Sequence, residues 1–212
     1  MPRWISHKPG HHADMNDALP SFVTRSCTLL ATGYAKLMQN NGGKIPAKNG
    51  LDISSFGPVM ANTALGAVTL GSACTFRIAG ESIRERFAQK LVGTDYYDLV
   101  DPARRSCAMK SMDMAVSFPC AFRAELLQKY DNGEERRAEA CAFPLLSDEP
   151  DIDGFILFAN EDIDRTRRIS VIRPVLTKSW VIHRELIDLG FGIDESFEDL
   201  VPRDLMLAPP AL

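Results

Sequence analysis

No stretch of this 212-residue chain approaches the roughly 18 consecutive apolar residues that a membrane-spanning helix needs, and its N-terminus lacks the apolar core of a secretion signal. An excess of positive charge is missing too. The 24 Lys and Arg against 28 Asp and Glu leave a net charge of -4 and a pI near 5.6, which argues against a nucleic-acid partner. Cysteine is sparse and unpatterned: Cys27, Cys74, Cys107, Cys120 and Cys141 are odd in number, widely spaced and without a Cys-x-x-Cys pair. That excludes a disulfide framework and points to buried thiols in a reducing compartment, so the expected location is cytoplasmic. Histidine is absent between His12 and His183, and His7, His11 and His12 crowd a polar N-terminal arm with no carboxylate or thiol cluster to complete a metal site. No metal is expected. Internal repeats, low-complexity blocks and any defensible nucleophile or phosphate constellation are also lacking.

What is present is the composition of an ordinary globule, 45% hydrophobic and 25% charged, in a chain long enough to bury about 70% of its unfolded surface. Four regions follow: an arm over 1–19, an N-terminal helix and connector over 20–48, a core over 49–164, and a C-terminal helix and tail over 165–212. From Pro20 to Gln39 the apolar positions Val23, Cys27, Leu30, Tyr34 and Leu37 are spaced four, three, four, three, which predicts a helix with one dry stripe, stopped by Asn40-Asn41-Gly42-Gly43. Two heptads leave two readings open, packing on the chain's own sheet or a helix-mediated homodimer. Asp52 is placed to cap a short helix reaching Met60.

Leu65 to Leu70 and Cys74 to Ala79 read as strands around a Gly71-Ser72 turn, with Phe76 and Ile78 alternating about Arg77. Gly80 ends the second strand. A short helix from Glu81 to Leu91 stops at Gly93, and the apolar Tyr96, Tyr97, Leu99 and Val100 continue a helical cover. Asp101-Pro102 caps a longer helix through Val116, with Ala108, Met112 and Ala115 on its apolar side. Cys120, Phe122, Ala124 and Leu126 form one face of a strand whose other face carries Arg123 and Glu125; Asp131-Asn132-Gly133-Glu134 turns it into a return strand from Arg136 to Leu145. Gly154 to Ala159 is a run apolar on both faces and therefore a central strand. Val175, Leu176, Trp180, Val181, Ile182, Leu186 and Ile187, between Pro174 and Gly190, suggest a second amphipathic helix.

Six short motifs fall in a recognisable order: Lys44-Ile45-Pro46, Leu51-Asp52-Ile53, Phe76-Arg77-Ile78-Ala79-Gly80, Gly93 with Tyr97 and Leu99, Arg105, and Pro144-Leu145. In this the segment from Leu29 to Asp164 resembles the PAS superfamily, and within it a bacterial stand-alone branch of unknown function; Tyr34 stands near a position where that branch often has Trp. The resemblance implies an α+β fold with a five-stranded antiparallel sheet in the order 2-1-5-4-3, helices over one face, and flanking N- and C-terminal helices. It also implies a pocket between sheet and helices for a small ligand of unknown identity. Phe76, Ile78, Tyr97, Met112, Phe122, Leu126 and Phe158 are its candidate lining, with Arg77 or Arg105 as anion anchors; the alternative is that these side chains pack together and that Arg77 is solvated or paired with Asp98 or Asp101. Haem held through histidine is unsupported for want of an imidazole in the helical cover. So is a flavin photoreceptor site, for which Ser106-Cys107-Ala108-Met109 lacks the neighbouring Asn, Arg and Gln.

Three functional classes remain. The first is a stand-alone PAS-type sensory or regulatory protein, not an enzyme, that acts by ligand binding and contact with a signalling partner. The second is a structural homodimer. The third, a small enzyme using Asp98, Asp101 or Glu139 with Tyr96 or Tyr97, rests only on proximity in sequence. The first is the expectation carried forward.

Overall fold

The computed structural model describes residues 19–51, 53–163 and 174–193; the N-terminal arm to residue 18, the capping position Asp52, the start of the expected C-terminal helix and the tail beyond residue 193 lie outside these. Among the described residues three α-helices and six strands follow in order: α1 (Arg25–Asn40), β1 (Thr63–Thr69), β2 (Ala73–Ala79), α2 (Glu81–Phe87), α3 (Arg105–Ser117), β3 (Cys120–Tyr130), β4 (Glu135–Leu146), β5 (Gly154–Asp162) and β6 (Leu176–Asp188). Short 3-10 segments precede β1 (Ile53–Asn62) and connect α2 to α3 (Tyr96–Leu99 and Pro102–Arg104). All pairings in the sheet are antiparallel and the order is β2-β1-β5-β4-β3-β6. Its first five members are in the order the PAS resemblance implies. The sixth is an addition.

β5 lies where its composition requires. Phe155 pairs with Ala67 on β1 and Leu145 on β4, and Phe155, Ile156, Leu157 and Ala159 are all buried, because this part of the strand is bonded on both sides and covered on both faces; the polar Asn160, Glu161 and Asp162 follow at its end. The odd-numbered residues face α1: Phe155, Leu157 and Ala159 join Cys27, Leu30, Tyr34, Cys141 and Phe143 in one cluster. On the opposite face Ile156 joins Val68, Met112, Ala115 and Phe122, beneath α3. The sheet is thus the middle of three layers.

The stripe of α1 is spent inside the chain. Cys27, Leu30 and Tyr34 are buried to the last atom against the sheet, Leu37 packs beside them, and Val23 is exposed ahead of the helix. The Tyr34 hydroxyl donates to the Pro144 carbonyl at 2.6 Å, and its ring lies 4.7 Å from that of Phe143. Pro144 itself is tolerated within β4 because it stands beyond the last β3–β4 pair, Phe122 with Ala142. The helix starts at Arg25, later than the Pro20 start expected.

Its N-terminus is held from the sheet. Thr24, the N-cap, bonds none of the helix's own amides through its side chain; instead the Glu139 carboxylate from β4 accepts from the amides of Val23 (3.0 Å) and Thr24 (2.7 Å) and from the Thr24 hydroxyl (2.7 Å). Glu161, opposite Glu139 on β5, accepts from the Ser26 amide at 2.7 Å. Arg123 of β3 donates to Glu139 at 2.6 Å. Two anions against the positive end of a helix, with one guanidinium, make a charge-assisted network at the point where helix and sheet meet.

The predicted C-terminal helix is strand β6. Its eleven pairs with β3 contain an extra residue, Ile182, between Glu125–His183 and Leu126–Val181. That bulge shifts the alternation by one, so Val181, Ile182, Leu186 and Ile187 acquire a helix-like spacing while the backbone stays extended. A bulge also affects β2: Arg77 is the extra residue between Leu65–Ile78 and Gly66–Phe76, and Ile78 therefore packs with the α1 cluster while Phe76 packs beneath α2. Gly66 is required there, since a Cβ would lie 2.7 Å from the Cys74 sulfur. Elsewhere Asp101 caps its segment as expected, accepting from the Ala103 amide at 3.0 Å, and Gly71 and Gly133 occupy the turns at positive φ. α2 is shorter than expected and ends at Ala88, also at positive φ. Among the described residues no helix is long and apolar enough to cross a membrane.

Burial pushes the Glu139 carboxyl up, but the hydrogen bonds from Thr24, Val23 and Arg123 outweigh it and hold the group below its usual range. A folded-state pKa lower than the unfolded one stabilises the fold at neutral pH, and this is lost as pH falls from the ordinary value of about 4.3 through the folded one. Glu139→Ala is expected to lose on the order of 3–5 kcal/mol in urea unfolding at pH 7, since Arg123 and three donors are left without their acceptor, and the gap to the wild type should narrow in acid. A loss under about 1 kcal/mol, or one independent of pH, would contradict this.

Candidate functional site

The face of the sheet turned to α2 and α3 has a floor of small residues. Across the strands run the rows Phe158–Ala142–Phe122–Leu186 and Asn160–Ala140–Ala124–Arg184, and Ala64 lies opposite Phe158 on β1. Alanine reaches one carbon above the backbone, and no helix can settle onto it while larger groups stand at the rim. Tyr96 forms such a pillar, its ring 6.2 Å from Phe76 and 6.0 Å from Phe158. A cavity of about 360 Å³ results, with Ala64, Ala124 and Ala140 below, Ile83 and Phe87 of α2 and Met112 of α3 above, and Val181 of β6 closing one side. That size suits a small organic ligand.

Three arginines enter this mostly apolar space. Arg86 of α2 pairs with Asp162 of β5 at 3.3 Å, and Arg136 approaches the same carboxylate at 3.4 Å. Arg104 is only 8% exposed; its Nη2 donates to the Val181 carbonyl at 3.1 Å while its buried Nη1 has no partner among the described residues. Arg184 of β6 lies with its guanidinium 5.2 Å from the Phe122 ring centre and donates through Nη1 to the Ser111 hydroxyl, leaving Nε unpartnered. Burial lowers the Arg184 pKa, and the like charge of Arg104 acts in the same direction. Across the floor, Asn160 Oδ1 is buried and also lacks a partner among the described residues.

Of the residues expected to line a pocket, Phe76, Met112, Phe122, Leu126 and Phe158 do so. Ile78 is on the other face through the Arg77 bulge. Tyr97 packs with Val68, Cys74 and Met112 instead, and its neighbour Tyr96 takes the cavity position. Neither expected anchor reaches the cavity: Arg77 is exposed and pairs with Glu149 at 3.3 Å, and Arg105 is exposed and lies 3.9 Å from Asp98. Arg104 and Arg184 line it instead. The sequence offered weak signs of both, because Arg104 is one position from the residue singled out and Arg184 sits in a segment whose periodicity is disguised by the Ile182 bulge.

The residues considered for acid–base chemistry are not assembled. Glu139 is on the α1 face, Asp98 and Asp101 are at the surface, and burial raises the phenol pKa values of Tyr96 and Tyr97. Among the described residues no three His, Cys, Asp or Glu side chains are grouped to hold a metal ion.

The chain is similar to the crystal structure of the PAS domain of a protein from Colwellia psychrerythraea, with 13% sequence identity over 52% of this chain and 95% of that one and a TM-score of 0.37. No protein-family model matches the sequence, and no curated protein matches it.

The contrast among the arginines is measurable. Arg77→Ala and Arg105→Ala should each change unfolding stability by no more than about 0.5 kcal/mol, as solvated charges do. Arg86→Ala should cost on the order of 3 kcal/mol, since it strips a buried carboxylate of one of its two partners. Equal effects at all three sites in chemical denaturation would contradict these placements.

Proposed function

We propose that this protein is a PAS-type sensory or regulatory module that holds a small ligand between sheet and helices and passes the occupied state to a protein partner. The observation that carries the reading is the cavity over the alanine floor. Close packing is the rule in protein interiors, and a hollow of this size persists only where the surrounding side chains hold it open. Here the aromatic groups Phe76, Tyr96 and Phe158 do so. The strand order β2-β1-β5-β4-β3 supports the same reading, because a PAS sheet presents this face to its ligand.

The walls suit transmission. α2 has seven residues, contributes Ile83, Arg86 and Phe87 to the cavity, and is pinned to β5 through Arg86 and Asp162. A ligand that displaces or tightens this short helix changes the outer surface beside it, which is how a binding event becomes a contact signal. The five free thiols, four of them buried, fit action in a reducing cytoplasm.

Native mass spectrometry of the protein isolated from its own host tests the reading. A retained small molecule is expected in the wild type and lost in Ala140→Leu, whose side chain fills the floor while adding apolar contacts. Thermal unfolding of the ligand-free variant should occur no lower than that of the ligand-free wild type. An empty wild-type protein whose melting temperature responds to no member of a metabolite library would contradict the proposal.

A further inference from the structure

The cavity described above is lined mainly by apolar groups, with Gln128, Asn160, Lys178 and Ser179 among its polar members, and the balance of charge on its guanidiniums is incomplete. Arg86 is answered by Asp162, which also receives Arg136. Arg104 and Arg184 are answered by neutral acceptors alone among the described residues, a backbone carbonyl and a serine hydroxyl. Each keeps one buried nitrogen without a partner among the described residues, Nη1 on Arg104 and Nε on Arg184. An isolated cation removed from water is costly, and two sharing one cavity repel each other besides. A fold retains such a pair where an anion completes it.

We infer that the ligand is a small organic carboxylate with an apolar body, its carboxylate bound between Arg104 and Arg184. The inference rests on the cavity reading and adds the chemical class. A planar carboxylate accepts two N–H donors side by side, which is the geometry guanidinium groups supply. The body of the ligand then lies over Ala124 and Ala140 and against Met112, Phe122 and Phe158. Specificity follows from the same balance, because a neutral analogue of equal shape leaves both guanidiniums as they are in the empty cavity.

A matched pair of ligands tests this: 4-phenylbutyrate and 4-phenylbutan-1-ol, titrated by calorimetry into the full-length protein stripped of any retained molecule. The acid is expected to bind at least tenfold more tightly than the alcohol, and the preference should fall severalfold in Arg104→Gln and again in Arg184→Gln. Circular dichroism establishes that each variant is folded, and Arg105→Gln, one residue from Arg104 but outside the cavity, should retain the wild-type preference. If alcohol and acid bind equally, the carboxylate inference is overturned while the cavity reading stands. If the acid is preferred but equally so in all three variants, the assignment to Arg104 and Arg184 is overturned. If neither binds and Ala140→Leu leaves the wild-type behaviour unchanged, the cavity reading fails with it.

Discussion

The hold of Glu139 and Glu161 on the first turn of α1 is the constraint from which the rest follows. Helix ends leave amides without partners, and here those of Val23, Thr24 and Ser26 are satisfied by carboxylates that belong to the two central strands β4 and β5. The arrangement is costly to break from either side, since the Glu139 carboxylate, Thr24 and Ser26 are all buried. It fixes where α1 begins and sets the register in which Cys27, Leu30 and Tyr34 meet the sheet. Arg123 draws β3 into the same network, so three strands and a helix are tied at one point.

With one face covered in this way, the cavity lies over the other face of the sheet. The two faces differ in side-chain size. Toward α1 stand Phe143, Leu145, Phe155 and Leu157, which fill the interlayer space; toward α2 and α3 the middle of β3 and β4 presents Ala124, Ala138, Ala140 and Ala142. Large residues on one side supply burial at about 25 cal/mol per Å² of apolar surface, and small ones on the other forgo part of it to leave room. Large and small residues are therefore divided between the faces, alternating residue by residue along the same strands.

Much of this architecture is legible in the sequence. The uninterrupted apolar run of β5, the Asp131-Asn132-Gly133 turn, the Asp101-Pro102 cap and the α1 stripe are local patterns with local causes, and the structure has each of them. What is not legible comes from two sources. Bulges at Arg77 and Ile182 each insert one residue, which moves Ile78 away from the cavity and disguises β6 as a helix; nothing in the neighbouring residues announces a bulge. Long-range partners are the second source. The acceptor for the Thr24 amide is 115 residues away, and an arginine in a sequence reads as a surface charge whether it proves to be Arg105 or Arg104. The alanine floor is silent for a related reason: a small residue gives no periodic signal of the space it leaves.

The carboxylate hold is most directly tested by hydrogen exchange at single amides. The amides of Val23, Thr24 and Ser26 stand at or before the first turn of a helix, where fraying ordinarily makes exchange fast. Bound to Glu139 and Glu161, they should exchange as slowly at neutral pH as the amides of Phe155 to Ala159 in the central strand, and lose that protection in Glu139→Ala while β5 retains its own. Exchange of these three amides at the rate of an unstructured chain in the wild-type protein would contradict the account.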